Sequence, residues 1–209
     1  MDRKTIGFWN YTVILTYFGL ISALIGIFLS IKGMYPFAIA CLLVSGFCDM
    51  LDGTVASTKK DRTDDEKSFG MQIDSLCDLI CFGALPAVFT FCISEGSIVS
   101  AACAVLIVLF GVVRLAYFNV LETNRHDAGE QTEKIYRGLP ITLSALVMPA
   151  LYVFYAANCI PALVIDICGA LMAIAFITPF TFKNPSPIVR ICFALAGTAE
   201  IVGLVLVTI

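Results

Sequence analysis

The feature that most limits how this chain can fold is a series of seven long apolar segments. They cover residues 11–31, 35–56, 70–93, 97–119, 139–157, 160–181 and 187–208. A membrane-spanning helix needs about 20 predominantly apolar residues, and each segment has roughly that length. Lipid offers no hydrogen-bond partner to an open backbone, so lone segments of this kind cross it as helices. The sequence therefore predicts an all-α, polytopic transmembrane helix bundle.

The composition agrees with a chain embedded in lipid. Apolar residues make up 59% of the chain and charged residues 14%, whereas soluble domains average about 45–50% and about 25%. Pro179, Pro185 and Pro187 can bend or break helices near the end of the chain, so the prediction is six to seven spans. We expect one membrane domain over 1–209, with 1–10 as an interfacial lead-in and no nucleic-acid partner.

The distribution of basic residues predicts how the chain is oriented. With the N-terminus in the cytoplasm, all 13 Lys and Arg residues except Lys32 lie on cytoplasmic flanks or, like Arg114, near the cytoplasmic end of a span. Cytoplasmic loops of membrane proteins carry an excess of Lys and Arg. The sequence therefore predicts cytoplasmic loops at 57–69 and 120–138, in a pattern that suits a prokaryotic inner membrane.

Two pairs of aspartates lie inside the apolar segments, where charged side chains are costly and usually functional. Asp49 and Asp52 are three residues apart, and Asp74 and Asp78 are four apart. Both spacings put a pair on one helix face, and consecutive antiparallel helices bring the pairs to a similar depth. Four close carboxylates require protons or cations, and oxygen ligands favour Mg²⁺, Mn²⁺ or Ca²⁺ over zinc. The sequence predicts a divalent-metal site.

These aspartates belong to a longer pattern, Asp49-x2-Asp52-Gly53-x2-Ala56 … Gly70-x3-Asp74-x3-Asp78, within 49–78. The pattern resembles the signature of the CDP-alcohol phosphatidyltransferase family, and the likeness covers most of residues 8–145. The resemblance implies an enzyme that transfers a phosphatidyl group from a CDP-linked lipid to an alcohol and releases CMP. It also implies two Mg²⁺ or Mn²⁺ ions per active site and a homodimer.

The resemblance further implies a role for individual residues of the signature. All four aspartates would be metal ligands, and Asp78 would also be the general base. The nucleotide and pyrophosphate would be bound by the following residues: Thr12, Asp49, Gly53, Ala56, Lys59 and Gly70.

The chain departs from the family pattern at two points. Ser57 stands where the family has an arginine, and the gap between Ala56 and Gly70 is longer than usual. The inserted stretch carries Lys59, Lys60 and Arg62. We expect one of these three to replace the missing arginine as a phosphate contact, and we assign Lys59 to the pocket.

A second group of residues resembles the phosphatidylserine synthase branch of the family. The group is Arg114, Leu115, Ala116, Phe118 and Asn119, followed by Gly138, Leu139 and Pro140. We predict that Arg114, Asn119 and Arg137 bind the alcohol or the lipid phosphate. Arginine binds carboxylates bidentately, and L-serine carries a carboxylate. The resemblance thus implies CDP-diacylglycerol and L-serine as substrates, while glycerol 3-phosphate, inositol phosphate and choline stay open as alternative alcohols.

A cation transporter is the alternative from another functional class. An ion path needs polar residues continuing across the membrane, but beyond Asp78 the third segment reads LICFGALPAVFTFC. The sequence therefore favours a site open to one side, as suits an enzyme. His126 is the single histidine and is predicted to be a solvated loop residue. Asp166 and Glu200 are intramembrane and are predicted to pair between helices or at a subunit contact.

Overall fold

The computed structural model describes residues 7–127, 136–179, 181–182 and 187–208, with side chains for 7–124, 138–179 and 196–207. Within these ranges the chain is almost entirely helical. The helices are α1 (Ile14–Ile31), α2 (Tyr35–Ser57), α3 (Asp64–Asp78), α4 (Leu85–Ile93), α5 (Ile98–Asp127), α6 (Ser144–Ala156), α7 (Ala162–Ile177) and α8 (Pro187–Thr208). Two short strands, β1 (Tyr136–Arg137) and β2 (Thr181–Phe182), pair antiparallel. The predicted all-α class is confirmed.

Four helical stretches in the described residues are long and apolar enough to cross a membrane. They are Tyr11–Ile31, Tyr35–Ser57, Asp64–Ile93 and Ile98–Asn124. Shorter apolar helices occupy Ile141–Ala156, Ala162–Ile177 and Ala196–Val207. Each of the seven falls on one of the predicted segments, so the chain is a polytopic membrane helix bundle.

The predicted start of the third span at residue 70 is wrong, because α3 begins at Asp64. Thr63 caps this helix: its side-chain oxygen accepts from the Glu66 N–H at 3.2 Å, and Glu66 Oε2 accepts from the Thr63 N–H at 3.2 Å. This reciprocal capping box satisfies helix-end donors. Acidic residues in the first turn add a favourable interaction with the helix dipole. The polar stretch before residue 70 is therefore helix rather than loop.

The predicted loop 120–138 is also partly wrong, because α5 continues to Asp127. His126 therefore lies on a helix, and its side chain falls outside the described residues. Hydrophobicity marks where a span leaves the lipid, but it does not mark where a helix ends. The extra turns place residues of α5 beside the α2–α3 connection.

The span Asp64–Ile93 changes its helical form in the middle. Residues Leu79–Ala84 form a π-helical stretch, in which the Leu85 N–H donates to the carbonyl of Ile80. Pro86 has no N–H for the carbonyl of Phe82, four residues earlier. The Ser144 hydroxyl donates to that carbonyl instead, at 2.9 Å, and so attaches α6 to the irregular turn.

The bundle has a buried centre and an apolar exterior. The largest fully buried side chains include Phe82, Phe89 and Phe176. Large apolar side chains such as Phe18 and Phe28 remain exposed on α1, as expected for a surface that faces lipid. Charged side chains are concentrated at the end of the bundle where α2 connects to α3.

Candidate metal site and adjoining cavity

The predicted aspartate pairs face each other across the α2–α3 hairpin. Carboxylate oxygens of Asp49, Asp74 and Asp78 all lie within 4.8 Å of one another, and all three side chains are half-buried. The Asp49 carboxylate lies beside that of Asp78, and the Asp52 carboxylate interacts with that of Asp74. The structure therefore brings together all four residues, with three of them forming an acidic group that could hold a metal ion.

The chemistry of this group fits a divalent cation with a preference for oxygen ligands. The ion pairs of Lys59 with Glu66 and of Lys67 with Asp64 involve none of the four aspartates. Clustered carboxylates without a basic partner repel each other unless protons or cations intervene. Asp52 sits at the edge of the group, where its Oδ2 accepts a 3.3 Å hydrogen bond from the Thr16 hydroxyl.

A cavity of about 500 Å³ adjoins the aspartates at the α2–α3 end of the bundle. Asp52 and Asp74 form part of its wall. Four of the residues predicted to bind nucleotide and pyrophosphate also line it: Thr12, Gly53, Ala56 and Gly70. A Cβ added at Gly53 would meet no atom of the described residues within 4 Å, so this part of the cavity is open. The cavity and the aspartates form one continuous site.

Lys59 does not line this cavity. Its ammonium group donates to both carboxylate oxygens of Glu66, at 2.9 Å and 3.0 Å. Arg62, from the same connection, is among the lining residues. Its Nη2 donates to the Glu66 carbonyl at 3.2 Å. Glu66 thus accepts hydrogen bonds from both Lys59 and Arg62. Of these two residues, only Arg62 lines the cavity.

The residues before α1 position Thr12. The Asn10 side-chain oxygen accepts from the Thr12 N–H at 3.1 Å and also from the Thr12 hydroxyl. Asn10 Nδ2 donates to Glu66 Oε1 at 3.4 Å. Asn10 caps the short 3₁₀ turn Tyr11–Val13, so the same residue fixes the wall of the cavity and ties it to α3. Sequence reasoning overlooked Asn10, although Asn is a common helix cap.

The extended part of α5 supplies the opposite wall through Phe118, Glu122 and Thr123. Glu122 and Thr123 were not predicted, because they lie beyond the apolar segment. The signal that could have found them is the spacing of Glu122 from Phe118 and of Thr123 from Asn119, since residues four positions apart lie near one another on a helix.

The residues predicted to bind the alcohol lie just behind this wall. Arg114 is buried, its Nε donates to the Leu139 carbonyl at 2.6 Å, and its Cζ lies 5.6 Å from the centre of the Phe118 ring. Asn119 Oδ1 accepts from the Ser75 hydroxyl at 2.8 Å. Arg137 lies in β1, and its side chain is outside the described residues.

Two further acidic residues lie away from the site. Asp166 is buried on α7 and accepts a 2.8 Å hydrogen bond from the Ser94 hydroxyl, at the far end of the α3–α4 span. Glu200 lies on α8, and its Oε2 has no hydrogen-bond partner among the described residues. Asp166 therefore makes the contact between helices that was predicted for it.

Comparison with known proteins finds one matching family and several relatives. The sequence profile of the family described as CDP-alcohol phosphatidyltransferase matches residues 9–181. An archaetidylserine synthase of Methanothermobacter thermautotrophicus is 32% identical over 158 residues, which are 74% of this chain and 64% of that protein. A CDP-diacylglycerol–serine O-phosphatidyltransferase of Helicobacter pylori is 35% identical over 118 residues, which are 54% of this chain and 46% of that protein.

A relative from Methanocaldococcus jannaschii matches over more of its length. This protein, also named CDP-diacylglycerol–serine O-phosphatidyltransferase, is 27% identical over 202 residues, which are 97% of this chain and 87% of that protein. The match spans less than two thirds of the length of the Methanothermobacter and Helicobacter proteins.

Proposed function

Since the chain belongs to the CDP-alcohol phosphatidyltransferase family, we propose that it transfers a phosphatidyl group from CDP-diacylglycerol to L-serine. The serine hydroxyl attacks the phosphorus that carries diacylglycerol, the bond from that phosphorus to CMP breaks, and phosphatidylserine and CMP are the products. The observation that carries this proposal is the joining of the aspartate group to a cavity of about 500 Å³ in a membrane-embedded bundle. The relatives named for serine transfer favour serine as the alcohol.

We assign the four aspartates to two Mg²⁺ or Mn²⁺ ions. When bound, such ions neutralise the pyrophosphate and stabilise the departing phosphate. Asp49, Asp52 and Asp74 act as ligands, and their contacts across the hairpin hold their oxygens close together. Hard oxygen donors of this kind suit Mg²⁺ and Mn²⁺.

Asp78 is the residue that we assign as general base. One of its carboxylate oxygens accepts the proton of the serine hydroxyl as the new bond to phosphorus forms. A base positioned next to the reacting hydroxyl accelerates such steps by about 10²–10⁴-fold. Asp78 lies in the acidic group with Asp49 and Asp74. The same group of carboxylates would therefore bind the metal ions and accept the proton.

The cavity is the space that we assign to the CDP group, with Thr12, Gly53, Ala56 and Gly70 around it. Arg114, Asn119 and Arg137 are assigned to the alcohol or the lipid phosphate. Arg114 contacts Phe118, and Phe118 lines the cavity. The guanidinium group therefore lies one side chain away from the cavity.

The decisive experiment measures CMP release by the purified protein with CDP-diacylglycerol and Mg²⁺ or Mn²⁺. Parallel reactions contain L-serine, glycerol 3-phosphate, inositol phosphate, choline or no alcohol. We expect release with serine, together with phosphatidylserine. Release that is equal with and without serine, but raised by another alcohol, would move the assignment to that alcohol. Asp78→Asn should be inactive, while Asp166→Asn, a matched change in a buried aspartate elsewhere, should retain activity.

We also propose a single membrane domain with its N-terminus and active site facing the cytoplasm of a prokaryotic cell. The basic residues of the α2–α3 connection support this orientation. Cys159 is an exposed free cysteine after α6, on the side opposite to that connection. A membrane-impermeant maleimide added to intact spheroplasts should therefore label Cys159, and Cys159→Ser should lose this label. Labelling only after lysis would reverse the orientation.

A homodimer is the assembly that we propose from the family alone. Mass measurement of the protein in detergent or lipid nanodiscs tests it. We expect twice the mass of one chain, and a mass of one chain would contradict the proposal.

A further inference from the structure

The connection between α2 and α3 carries basic residues that differ in their surroundings. Lys59 is engaged with both carboxylate oxygens of Glu66, and Lys60 is exposed at the surface. Arg62 is half-buried and borders the cavity together with Asp52 and Asp74. Of these three cations, Arg62 is the one placed to meet a ligand beside the aspartates.

The guanidinium group of Arg62 makes a hydrogen bond through one nitrogen and lacks a hydrogen-bond partner at another. Its Nη2 donates to the Glu66 carbonyl at 3.2 Å. Its Nε is buried and has no hydrogen-bond partner among the described residues. A buried polar group without a partner is unusual and calls for an explanation such as an absent ligand. An anionic oxygen is the partner that a guanidinium N–H binds most strongly.

Gly70 faces the same guanidinium group. A Cβ at this position would clash with Nη2 of Arg62, and the next atom that it would meet is Arg62 Cζ at 3.7 Å. Within the part of the chain that the structure describes, these are the atoms within 4 Å of such a Cβ. The absence of a side chain at Gly70 therefore leaves room for the guanidinium group of Arg62, and not for the close approach of another helix.

We propose that Arg62 binds a phosphate of the CDP-linked lipid and that Gly70 is small so that the Arg62 guanidinium can lie against it. The inference rests on the proposed function and deepens it, because it names the cation that meets the substrate. It also replaces Lys59 by Arg62 as the residue of the α2–α3 connection that brings a positive charge to the cavity. A guanidinium binds phosphate and carboxylate alike, so the experiment must separate the lipid substrate from the serine carboxylate.

The first test compares the Michaelis constants of Arg62→Ala and Arg62→Lys with those of the wild type. A charge-assisted hydrogen bond corresponds to about 10- to 100-fold in affinity. We expect Arg62→Ala to raise the KM for CDP-diacylglycerol by that factor and to leave the KM for serine within about 2-fold. Arg62→Lys should restore only part of the loss, because it lacks the planar fork. Lys60→Ala removes a neighbouring charge and is the matched control.

The second test is a double-mutant cycle between Arg62 and Gly70. Gly70→Ala should raise the KM for CDP-diacylglycerol, because its methyl group displaces the guanidinium. In the Arg62→Ala background the same change should add less than about 2-fold, because nothing remains to be displaced. If the two changes raise the KM by independent factors that multiply in the double variant, Gly70 makes room for the ligand itself. That result would overturn this part of the proposal. Thermal melting of each variant reports on folding.

The outcomes separate this inference from the proposed function. An active wild type with an unchanged KM for CDP-diacylglycerol in Arg62→Ala overturns only the role of Arg62. A raised KM for serine alone would assign Arg62 to the carboxylate and overturn the phosphate assignment. A wild type that releases no CMP with any alcohol overturns the proposed function. In that case, calorimetric titration with CDP and Mg²⁺ still tests Arg62, and binding that Arg62→Ala leaves unchanged overturns its role.

Discussion

The Ser75 hydroxyl donates a 2.8 Å hydrogen bond to the side-chain oxygen of Asn119 and so joins α3 to α5. Ser75 is buried and follows Asp74 directly. Asn119 follows Phe118, which lines the cavity. The bond therefore connects the helix that carries two of the aspartates to the helix that forms the opposite wall, and it fixes the orientation of the Asn119 amide.

Variants of this pair distinguish a structural contact from a substrate contact. Loss of one neutral hydrogen bond costs about 0.5–1.5 kcal/mol, so Ser75→Ala and Asn119→Ala should lower the melting temperature to a similar extent. If Asn119 also contacts the alcohol or the lipid phosphate, kcat/KM should fall at least about 10-fold further in Asn119→Ala than in Ser75→Ala. Equal losses of kcat/KM in the two variants would leave Asn119 with a structural role alone.

Asp78 and Asp49 should respond differently to conversion into asparagine. Asp78→Asn keeps an oxygen but removes the proton acceptor, so turnover should fall by about 10²–10⁴-fold while CDP still binds in the presence of Mg²⁺. Asp49→Asn should mainly raise the Mg²⁺ concentration needed for half-maximal activity. Steady-state CMP release over a range of Mg²⁺ concentrations measures both effects. An Asp78→Asn variant that recovers full turnover at high Mg²⁺ would contradict its role as base.

Removal of divalent metal should abolish CMP release, and Mg²⁺ or Mn²⁺ should restore it. Because a metal bound only to the folded state stabilises it by about 2.7 kcal/mol at 100 times its Kd, Mg²⁺ should also raise the melting temperature of the protein without substrate. Asp74→Asn should reduce this rise, since Asp74 belongs to the acidic group. A melting temperature that is independent of Mg²⁺ in wild-type protein would argue against a resident metal.

Asp166 should matter for stability but not for turnover. Its carboxylate accepts the Ser94 hydrogen bond inside the bundle, so Asp166→Ala removes a buried contact and should cost about 1–3 kcal/mol of unfolding free energy. The KM for both substrates should stay within about 2-fold of wild type. Thermal melting and CMP release measured on the same preparation provide the comparison. A selective rise in either KM, at unchanged melting temperature, would place Asp166 in the active site instead.

Ser144 provides a second test of the bundle's internal contacts. Its hydroxyl donates a hydrogen bond to the Phe82 carbonyl. Pro86 cannot donate to this carbonyl because it has no N–H. Ser144→Ala leaves a buried carbonyl without this donor, which should cost about 1–3 kcal/mol. Ser22→Ala is a comparison at another serine that donates to a backbone carbonyl, that of Cys41. A smaller loss is expected there because Ser22 is only half-buried and that carbonyl also accepts from Ser45.

The positions of the spans and of the aspartates could be predicted because each depends on a local rule. Span length follows from bilayer thickness, and the spacings of Asp49 with Asp52 and of Asp74 with Asp78 follow from the helical repeat. The start of α3 at Asp64 was also readable, since Thr63 and Glu66 have the spacing of a capping box. The charged composition of this stretch, which favours a loop, outweighs that signal in the sequence.

The choice between Lys59 and Arg62 could not be made from the sequence. It depends on which basic side chain forms the ion pair with the Glu66 carboxylate, and on the space beside Gly70 in which the Arg62 guanidinium lies. Both are tertiary effects between residues whose mutual orientation no local pattern fixes. The same holds for the contribution of Glu122 and Thr123 to the cavity wall, which requires α5 to continue beyond its apolar segment.

The π-helical stretch Leu79–Ala84 has a consequence for insertions and deletions in this chain. An α-helix turns by about 100° for each residue, and a π turn accommodates an additional residue within one span. The stretch thus sets the angular phase between the half that carries Asp74 and Asp78 and the half that begins at Leu85. Deletion of one residue within the stretch would convert it to a regular α-helical turn and largely keep this phase. At a regular α-helical turn the same deletion would rotate the two halves by about 100°. The π-helical stretch is therefore the part of this span in which the loss of one residue can be absorbed.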